Sequence, residues 1–236
     1  MRISVIVPTF NEEKTINRCL EALERQTFED YEIVVVDGHS RDNTVKIAEK
    51  YADKMLFDEG KGTAAARNLA VRSVDSEIVA FIDGDTVVPK TWTETVNNAF
   101  SESNIVGVGG PLLPDGGGLS DRLIFYVCAD LLRRISSAVG FHQFSGANCA
   151  YLRKAYLKAG GFREDLDMLD DVDLSMRMKQ IGKEKFEPKM YAVTSIRRTR
   201  QKGHVKTVMR YLSGYLELFK TGSVKEPGYL REIKKD

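Results

Sequence analysis

Two carboxylates one residue apart stand where an apolar run ends: Ile78-Val79-Ala80-Phe81-Ile82 leads into Asp83-Gly84-Asp85. Paired acids at the end of a buried strand can hold a divalent cation against a diphosphate, because Mn²⁺ and Mg²⁺ take oxygen ligands. A second acidic cluster, Asp170-Asp171-Val172-Asp173, lies far along the chain. Crowded carboxylates raise one another's pKa, and one of them can then serve as a proton acceptor. Together the clusters point to an enzyme that moves a group off a phosphate-bearing donor. Their separation does not say which group. Each has a plainer alternative. The first can be a capping turn before Val87, although a cap needs one acid, not two. The second can be a helix start, with Asp170 as N-cap and Asp171 and Asp173 favoured by the helix dipole.

The elements that must position these acids alternate. Ile3 to Val7 reads as a short buried strand, broken at Pro8. Thr15 can cap a helix whose Ile16, Cys19, Leu20 and Leu23 share one face. Ile33 to Val36 is a second strand, ending at Asp37-Gly38. A helix from about Asp42 turns Val45, Ala48 and Ala52 inward. Lys54 to Phe57 is a third strand, Thr63 to Ser73 a helix, and Ile78 to Ile82 a fourth strand. This order implies helical crossovers over a mainly parallel sheet, which binds ligands beyond the carboxyl ends of its strands. Pro8, Asp37 and Asp83 all fall at such ends. The second half is less regular. Helices are expected over 87–99 after Pro89, 154–159, 171–181 and 206–219, and strands over 105–109 and 146–152. The stretch 112–118 reads as a flexible connection, and 119–139 as a long amphipathic segment.

Composition narrows the class. The 236 residues carry a formal net charge of +1, so no global field draws in nucleic acid. Cys19, Cys128 and Cys149 are odd in number and widely spaced, which fits neither a disulfide framework nor a zinc site. A reducing, cytoplasmic setting is expected. Met1-Arg2 leads directly into the first strand without a signal peptide, and no apolar run reaches spanning length. Gly60-Lys61-Gly62 lacks the P-loop spacing, and the first strand lacks the dinucleotide fingerprint. Abundant Lys and Glu suggest heat adaptation.

In order along the chain, the motifs resemble those of the family 2 nucleotide-sugar glycosyltransferases of the GT-A fold. The opening is Pro8-Thr9-Phe10-Asn11-Glu12, and the second-strand motif is Asp37-Gly38-His39-Ser40-Arg41-Asp42. The metal motif is Asp83-Gly84-Asp85. Gly146-Ala147-Asn148 and Gly160-Gly161-Phe162 follow, then Asp170-Asp171-Val172-Asp173-Leu174-Ser175-Met176-Arg177. The resemblance covers roughly residues 2 to 200 and extends in pattern to the polyprenyl-phosphate sugar synthases. It implies an α/β GT-A fold, a mainly parallel central sheet flanked by helices, with C-terminal amphipathic helices. One domain over 1–221 is expected, with 1–110 binding the nucleotide sugar, 111–221 binding the acceptor, and 222–236 a charged tail.

The resemblance also implies roles. The activity is inverting, metal-dependent transfer of one sugar from a nucleoside-diphosphate sugar; the processive Gln-x-x-Arg-Trp signature is absent. Asp85 is the first ligand of Mn²⁺ or Mg²⁺, with Asp83 at the ribose and at the ion through water. Asp171 is the catalytic base, and Asp170 orients it or binds the acceptor. Pro8, Asn11, Glu12, Asp37 and Arg67 line the donor. Asp37 can equally bond its own turn, and Arg67 can be a solvated helix residue. Gly38 and His39 depart from the usual residues, which leaves the base unassigned. Asn68 is expected to tether a loop. Asn148 and Asp173 are placed at the acceptor, although Asn148 can satisfy buried backbone and Asp173 can pair with Arg177. Arg197 and Arg198 can clamp a phosphate, or belong to a solvated basic run. A late metal-binding histidine would fall near Thr194 and Ser195, so His204 is not a ligand. The apolar faces of 123–139 and 211–219 favour a lipid-linked or polyprenyl-phosphate acceptor and peripheral contact with the cytoplasmic membrane face; core packing or a homodimer explains them too. A small soluble acceptor, or a protein or glycan terminus, is the alternative acceptor class. A non-catalytic sugar-nucleotide-binding scaffold and a nucleotidyltransferase are the rival functions.

Overall fold

The structure is a computed structural model that describes residues 1–126, 143–197 and 204–225. Its strands are β1 (Ile3–Thr9), β2 (Tyr31–Asp37), β3 (Lys54–Phe57), β4 (Ile78–Ile82), β5 (Thr86–Val87), β6 (Ile105–Gly109), β7 (Leu112–Asp115), β8 (Asn148–Leu152), β9 (Lys183–Phe186) and β10 (Ala192–Ser195). Its helices are α1 (Ile16–Glu24), α2 (Thr44–Ala48), α3 (Thr63–Arg72), α4 (Trp92–Ala99), α5 (Leu119–Phe125), α6 (Arg153–Ala159), α7 (Asp170–Met178) and α8 (His204–Thr221). The main sheet runs β3-β2-β1-β4-β8-β6-β9, and a smaller one runs β5-β10-β7. β1, β2, β3 and β4 are mutually parallel, and β8 lies antiparallel to both β4 and β6.

The central strands are apolar on both faces because helices cover both. Successive side chains point to opposite sides. Ile3, Val5 and Val7 of β1, with Ile33 and Val35 of β2, pack against Ile16, Leu20 and Leu23 of α1 and Trp92 and Val96 of α4. Ile6, Val34, Val36 and Phe81 point the other way, onto Ala66 and Ala70 of α3, Tyr156 of α6 and Leu174 of α7. Each such aliphatic side chain contributes about 1.5–3 kcal/mol by leaving water. A third cluster joins Leu218 of α8 to Leu166, Met168, Leu169 and Val172, the segment that carries the late acids.

Several expectations are corrected. Leu112–Asp115 is a strand, parallel to β10 through Ala192↔Leu112 and its neighbours, and not a flexible connection. β9 and β10 have no apolar run to announce them; register with β6 and β7 makes them strands. The helix after Pro89 begins at Trp92, because Thr86–Val87 pairs with β10. Thr15 stands at the N-cap of α1, but its hydroxyl donates to Glu12 instead of capping. In α2, Thr44 and Ala48 are buried while Val45 is half-buried. Leu119–Phe125 is helical, and most of the expected amphipathic segment lies outside the described residues.

One edge feature is costly. Among the described residues, both carboxylate oxygens of Glu184 on β9 are buried and find no hydrogen-bond partner. Burial pushes Glu184 from its ordinary 4.5 up to about 8, with Lys179 opposing. The folded chain therefore holds a proton there that the unfolded chain has lost, and stability falls as pH rises through that window. Replacing Glu184 by Gln is expected to raise the melting temperature at pH 8 relative to wild type by more than at pH 5. An equal shift at both pH values would contradict the assignment.

Candidate active site

β4 ends at Ile82 and delivers the first acid pair to the carboxyl edge of the sheet. The turn closes through Thr86 N–H donating to the Asp83 carbonyl at 3.0 Å. Gly84 lets this turn pack down on its neighbours: a Cβ there would lie 3.1 Å from Thr9 Cγ2 and 3.2 Å from Ile16 Cδ1. Asp85 Oδ1 is approached by the hydroxyls of Thr86 at 3.4 Å and Thr194 at 3.3 Å. The small sheet thus steadies Asp85 from the side.

Two cavities meet at Asp83. One is bounded by Pro8, Phe10, Glu12, Gly38, Asp58 and the turn Asp83-Gly84-Asp85. The other is bounded by Arg67, Ser145, Gly146, Glu164, Asp170, Asp171 and Tyr211. Gly62, Thr63 and Asp83 belong to both walls.

The late acids enter the second cavity from the first turn of α7. Leu169 takes φ 60°, an uncommon conformation for leucine, and neither acid is the N-cap. Leu166, Met168, Val172 and Leu218 pack around Leu169 and hold the bend. Asp171 accepts from Gly146 N–H at 3.2 Å and from Val172 N–H at 2.9 Å. Burial pushes Asp171 up to about 7, Asp170 adds to the rise, and Gly146 N–H opposes it. Asp170 is also raised by burial, with Arg67 opposing.

Arg67 joins the clusters. Its side chain is only 6% exposed, and its Nη2 lies 2.8 Å from Asp83 Oδ1 while Nη1 lies 3.8 Å from Asp170 Oδ2. The guanidinium also lies 5.0 Å from the centre of the Phe162 ring. Burial works against its charge; Asp83 and then Asp170 outweigh that, and its pKa stands above its ordinary value. Gly146 makes room: a Cβ there would be 2.6 Å from Arg67 Nη1. The solvated-helix alternative for Arg67 does not hold, because α3 turns this residue inward.

Of the residues expected at the donor, Pro8, Glu12, Asp83 and Asp85 line the first cavity, and Arg67 lines the second. Asn11 and Asp37 line neither. Asn11 sits at φ 52° and its side chain accepts from Arg41 N–H at 2.9 Å. Asp37 is fully buried and accepts from Ser40 N–H at 2.7 Å, Ser40 Oγ at 2.6 Å and Thr9 Oγ1 at 3.2 Å. Asn148 and Asp173 line neither cavity either. Asn148 accepts from Trp92 Nε1 at 2.9 Å and donates to the carbonyls of Pro111 at 3.1 Å and Met190 at 2.7 Å. Asp173 takes Arg177 Nη2 at 2.6 Å, with Arg163 Nη1 at 3.5 Å. Asn68 does tether a loop, donating to the Phe162 carbonyl at 2.8 Å. Arg197 reaches back to Glu12 at 3.1 Å, and Arg198 lies outside the described residues. Asp58, Phe10 and Tyr211 also line these walls and were not expected there. Asp58 carried a usable signal, an acid at the end of a parallel strand; Phe10 lies within the opening motif and Tyr211 on the last apolar face.

The sequence profile of glycosyl transferase family 2 matches residues 4–159, well over half of the chain, and the chain belongs to that family. Glycosyltransferase AglE of Haloferax volcanii is 34% identical over 131 residues, covering 51% of this chain and 43% of that protein. The poly(ribitol-phosphate) β-N-acetylglucosaminyltransferase TarS of Staphylococcus aureus is 39% identical over 107 residues, covering 42% of this chain and 18% of that one. The chain spans less than half the length of these relatives. Among solved structures, the mannosyltransferase PcManGT of Pyrobaculum calidifontis, in complex with GDP-Man and Mn²⁺, aligns with TM-score 0.68 at 22% identity, over 99% of this chain and 68% of that one. TarS in complex with UDP-GlcNAc aligns with TM-score 0.64 at 22% identity, over 99% of this chain and 70% of that one. The fold is the expected GT-A architecture.

Removing the guanidinium would leave two carboxylates facing each other. Arg67→Ala is expected to cost about 3 kcal/mol, the lower end for breaking a buried pair because both acids are partly exposed. Urea unfolding checks this; a loss below about 1 kcal/mol would mean that Arg67 is not what holds the clusters together.

Proposed function

We propose that this chain transfers one sugar from a nucleoside-diphosphate sugar to an acceptor hydroxyl with inversion at the anomeric carbon. The observation that carries the reading is the shared wall: Asp83 borders both cavities, and Arg67 links it to Asp170, next to Asp171. The first cavity would take the donor and the second the acceptor. A hydroxyl entering the second cavity meets Asp171, whose raised pKa suits a base acting near neutral pH. Asp170, beside Arg67, stays charged more readily and orients its neighbour.

The metal fits the same plan. Among the described residues no group of three or more His, Cys, Asp or Glu could hold an ion by itself. Asp85 with Asp83 supplies carboxylate oxygens, and a donor diphosphate would complete the shell, a common mode for Mg²⁺ and Mn²⁺. When bound, the ion would neutralise charge on the departing diphosphate. The Mn²⁺ and GDP-Man in PcManGT support this assignment.

A lipid-linked acceptor is favoured by the surface of α8. Met209, Leu216 and Phe219 are 62%, 62% and 64% exposed. The same helix carries Tyr211 on the wall of the second cavity. An acceptor's apolar chain could follow that face while its head entered the cavity. The arginine clamp adds no support, since Arg197 is bonded to Glu12. No helix among the described residues is long and apolar enough to cross a membrane.

Asp171→Asn is expected to bind nucleoside diphosphate and Mn²⁺ as wild type does while transfer falls about 10²-fold or more. Asp85→Asn should lose metal-dependent nucleotide binding as well. Calorimetry and a transfer assay separate the two, and near wild-type transfer by Asp171→Asn would remove Asp171 as the base. The base must be deprotonated, so kcat/KM should climb with pH and level off above about 7. A flat profile from about pH 5.5 to 8 would contradict this. The double substitution Leu216→Glu and Phe219→Glu should abolish co-sedimentation with anionic vesicles at low salt; absence of vesicle binding by the wild type would exclude the lipid surface.

A further inference from the structure

Residues 222–225, just past α8, run along the loop 163–168 that leads into α7. Arg163 Nη1 donates to the Gly222 carbonyl at 2.6 Å, Asp167 N–H to the Val224 carbonyl at 3.2 Å, and Lys225 Nζ to the Asp165 carbonyl at 2.6 Å. Among these bonds Val224 is only 2% exposed, clustered with Leu166, Met168, Leu169, Val172 and Leu218. A segment that buries its one aliphatic side chain and is bonded on both sides of it is tied down.

The loop it ties is a wall of the second cavity. Leu166, Asp167, Met168 and Leu169 line that cavity together with Asp170 and Asp171, whereas Val224 does not. Leu169 sits at φ 60°, and such a conformation persists only where the surroundings over-determine it. α8 approaches closely at the same place: a Cβ on Gly214 would lie 3.1 Å from Met168 Sδ and 3.3 Å from Leu169 Cδ1. Val172 gives its side chain to this cluster and its N–H to the Asp171 carboxylate at 2.9 Å. Farther along α7, Leu174 and Met178 pack in the core against the sheet. The body of α7 is therefore fixed by the sheet, while the bend and first turn depend on the cluster that Val224 completes.

We propose that Val224 is a positioning residue: residues 222–225 clasp the loop 163–168 and so hold Asp171 in place against Gly146. The inference rests on the reading of Asp171 as the base; the clasp would set that base without touching substrate. Opening it would free the bend at Leu169, admit water to Asp171 and loosen the bond from Gly146 N–H. The groups that face the carboxylate are Asp170 on α7, Arg67 on α3, and Cys149 and Tyr151 on β8. Burial is the largest cause of the raised Asp171 pKa, so added water would lower it.

Val224→Ala in the full chain removes the anchor and keeps the backbone bonds, and Val224→Ile keeps an aliphatic anchor. NMR reads the result without any acceptor. In Val224→Ala, exchange of the Gly146 N–H should speed up about tenfold. Its Asp171 carboxyl should titrate about one pH unit below the wild-type midpoint of about 7. Val224→Ile should match wild type in both, and the amides of β1 and β4 should exchange as before in each variant. An unchanged Gly146 rate and midpoint in Val224→Ala would overturn the proposal. Equal acceleration at Gly146 and β1 would overturn it too, since that marks general destabilisation. These readouts judge the hold on Asp171; near wild-type transfer by Asp171→Asn would instead remove the base reading, and with it any catalytic use of the clasp.

Discussion

One buried guanidinium sets the geometry of the site. Arg67 lies between an acid from the end of β4 and an acid from the start of α7. The two acids repel each other, and the guanidinium between them offsets that repulsion. Burial works against the guanidinium's charge, so the interaction persists only because both carboxylates face it and Phe162 covers it. Such an arrangement contributes less to net stability than to placement: it fixes where two distant parts of the chain meet.

The rest of the fold serves that meeting point. The doubly covered strands β1, β2 and β4 give a rigid edge on which Asp83 and Asp85 are presented. Gly146 yields space to Arg67 and also donates its N–H to Asp171. One glycine therefore serves both Arg67 and Asp171. On the far side, α8 packs Leu218 against the bend at Leu169 and keeps Asp170 and Asp171 turned into the cavity. The pKa values follow from this packing. Asp171 is raised by burial and its neighbour, while Arg67 opposes the rise at Asp170.

Much of this was legible in the residues, for a physical reason. Strands covered on both faces must be apolar at every position, so Ile3 to Val7, Ile33 to Val36 and Ile78 to Ile82 announced themselves. The paired acids after Ile82 and the late cluster pointed to the site because such crowding has few other uses. β9 and β10 stayed hidden because Lys183-Glu184-Lys185-Phe186 and Ala192-Val193-Thr194-Ser195 pair with neighbours distant in sequence. Asn148 and Asp173 were expected at the acceptor by motif; in the fold Asn148 donates to the Met190 carbonyl and Asp173 pairs with Arg177. Arg67 could not be placed from its helix alone, since a surface and a buried arginine read alike until α3 is docked on the sheet.

The central claim is that the two cavities form one reaction crevice, with the leaving group held at Asp85 and the proton acceptor across Arg67 at Asp171. A crystal structure with Mn²⁺ and a nucleoside diphosphate, using the anomalous signal of manganese, tests it most directly. The account predicts one manganese peak within bonding distance of Asp85 and of the diphosphate, with Arg67 still between Asp83 and Asp170. A peak between Asp170 and Asp171, or a diphosphate bound away from Asp85, would contradict it.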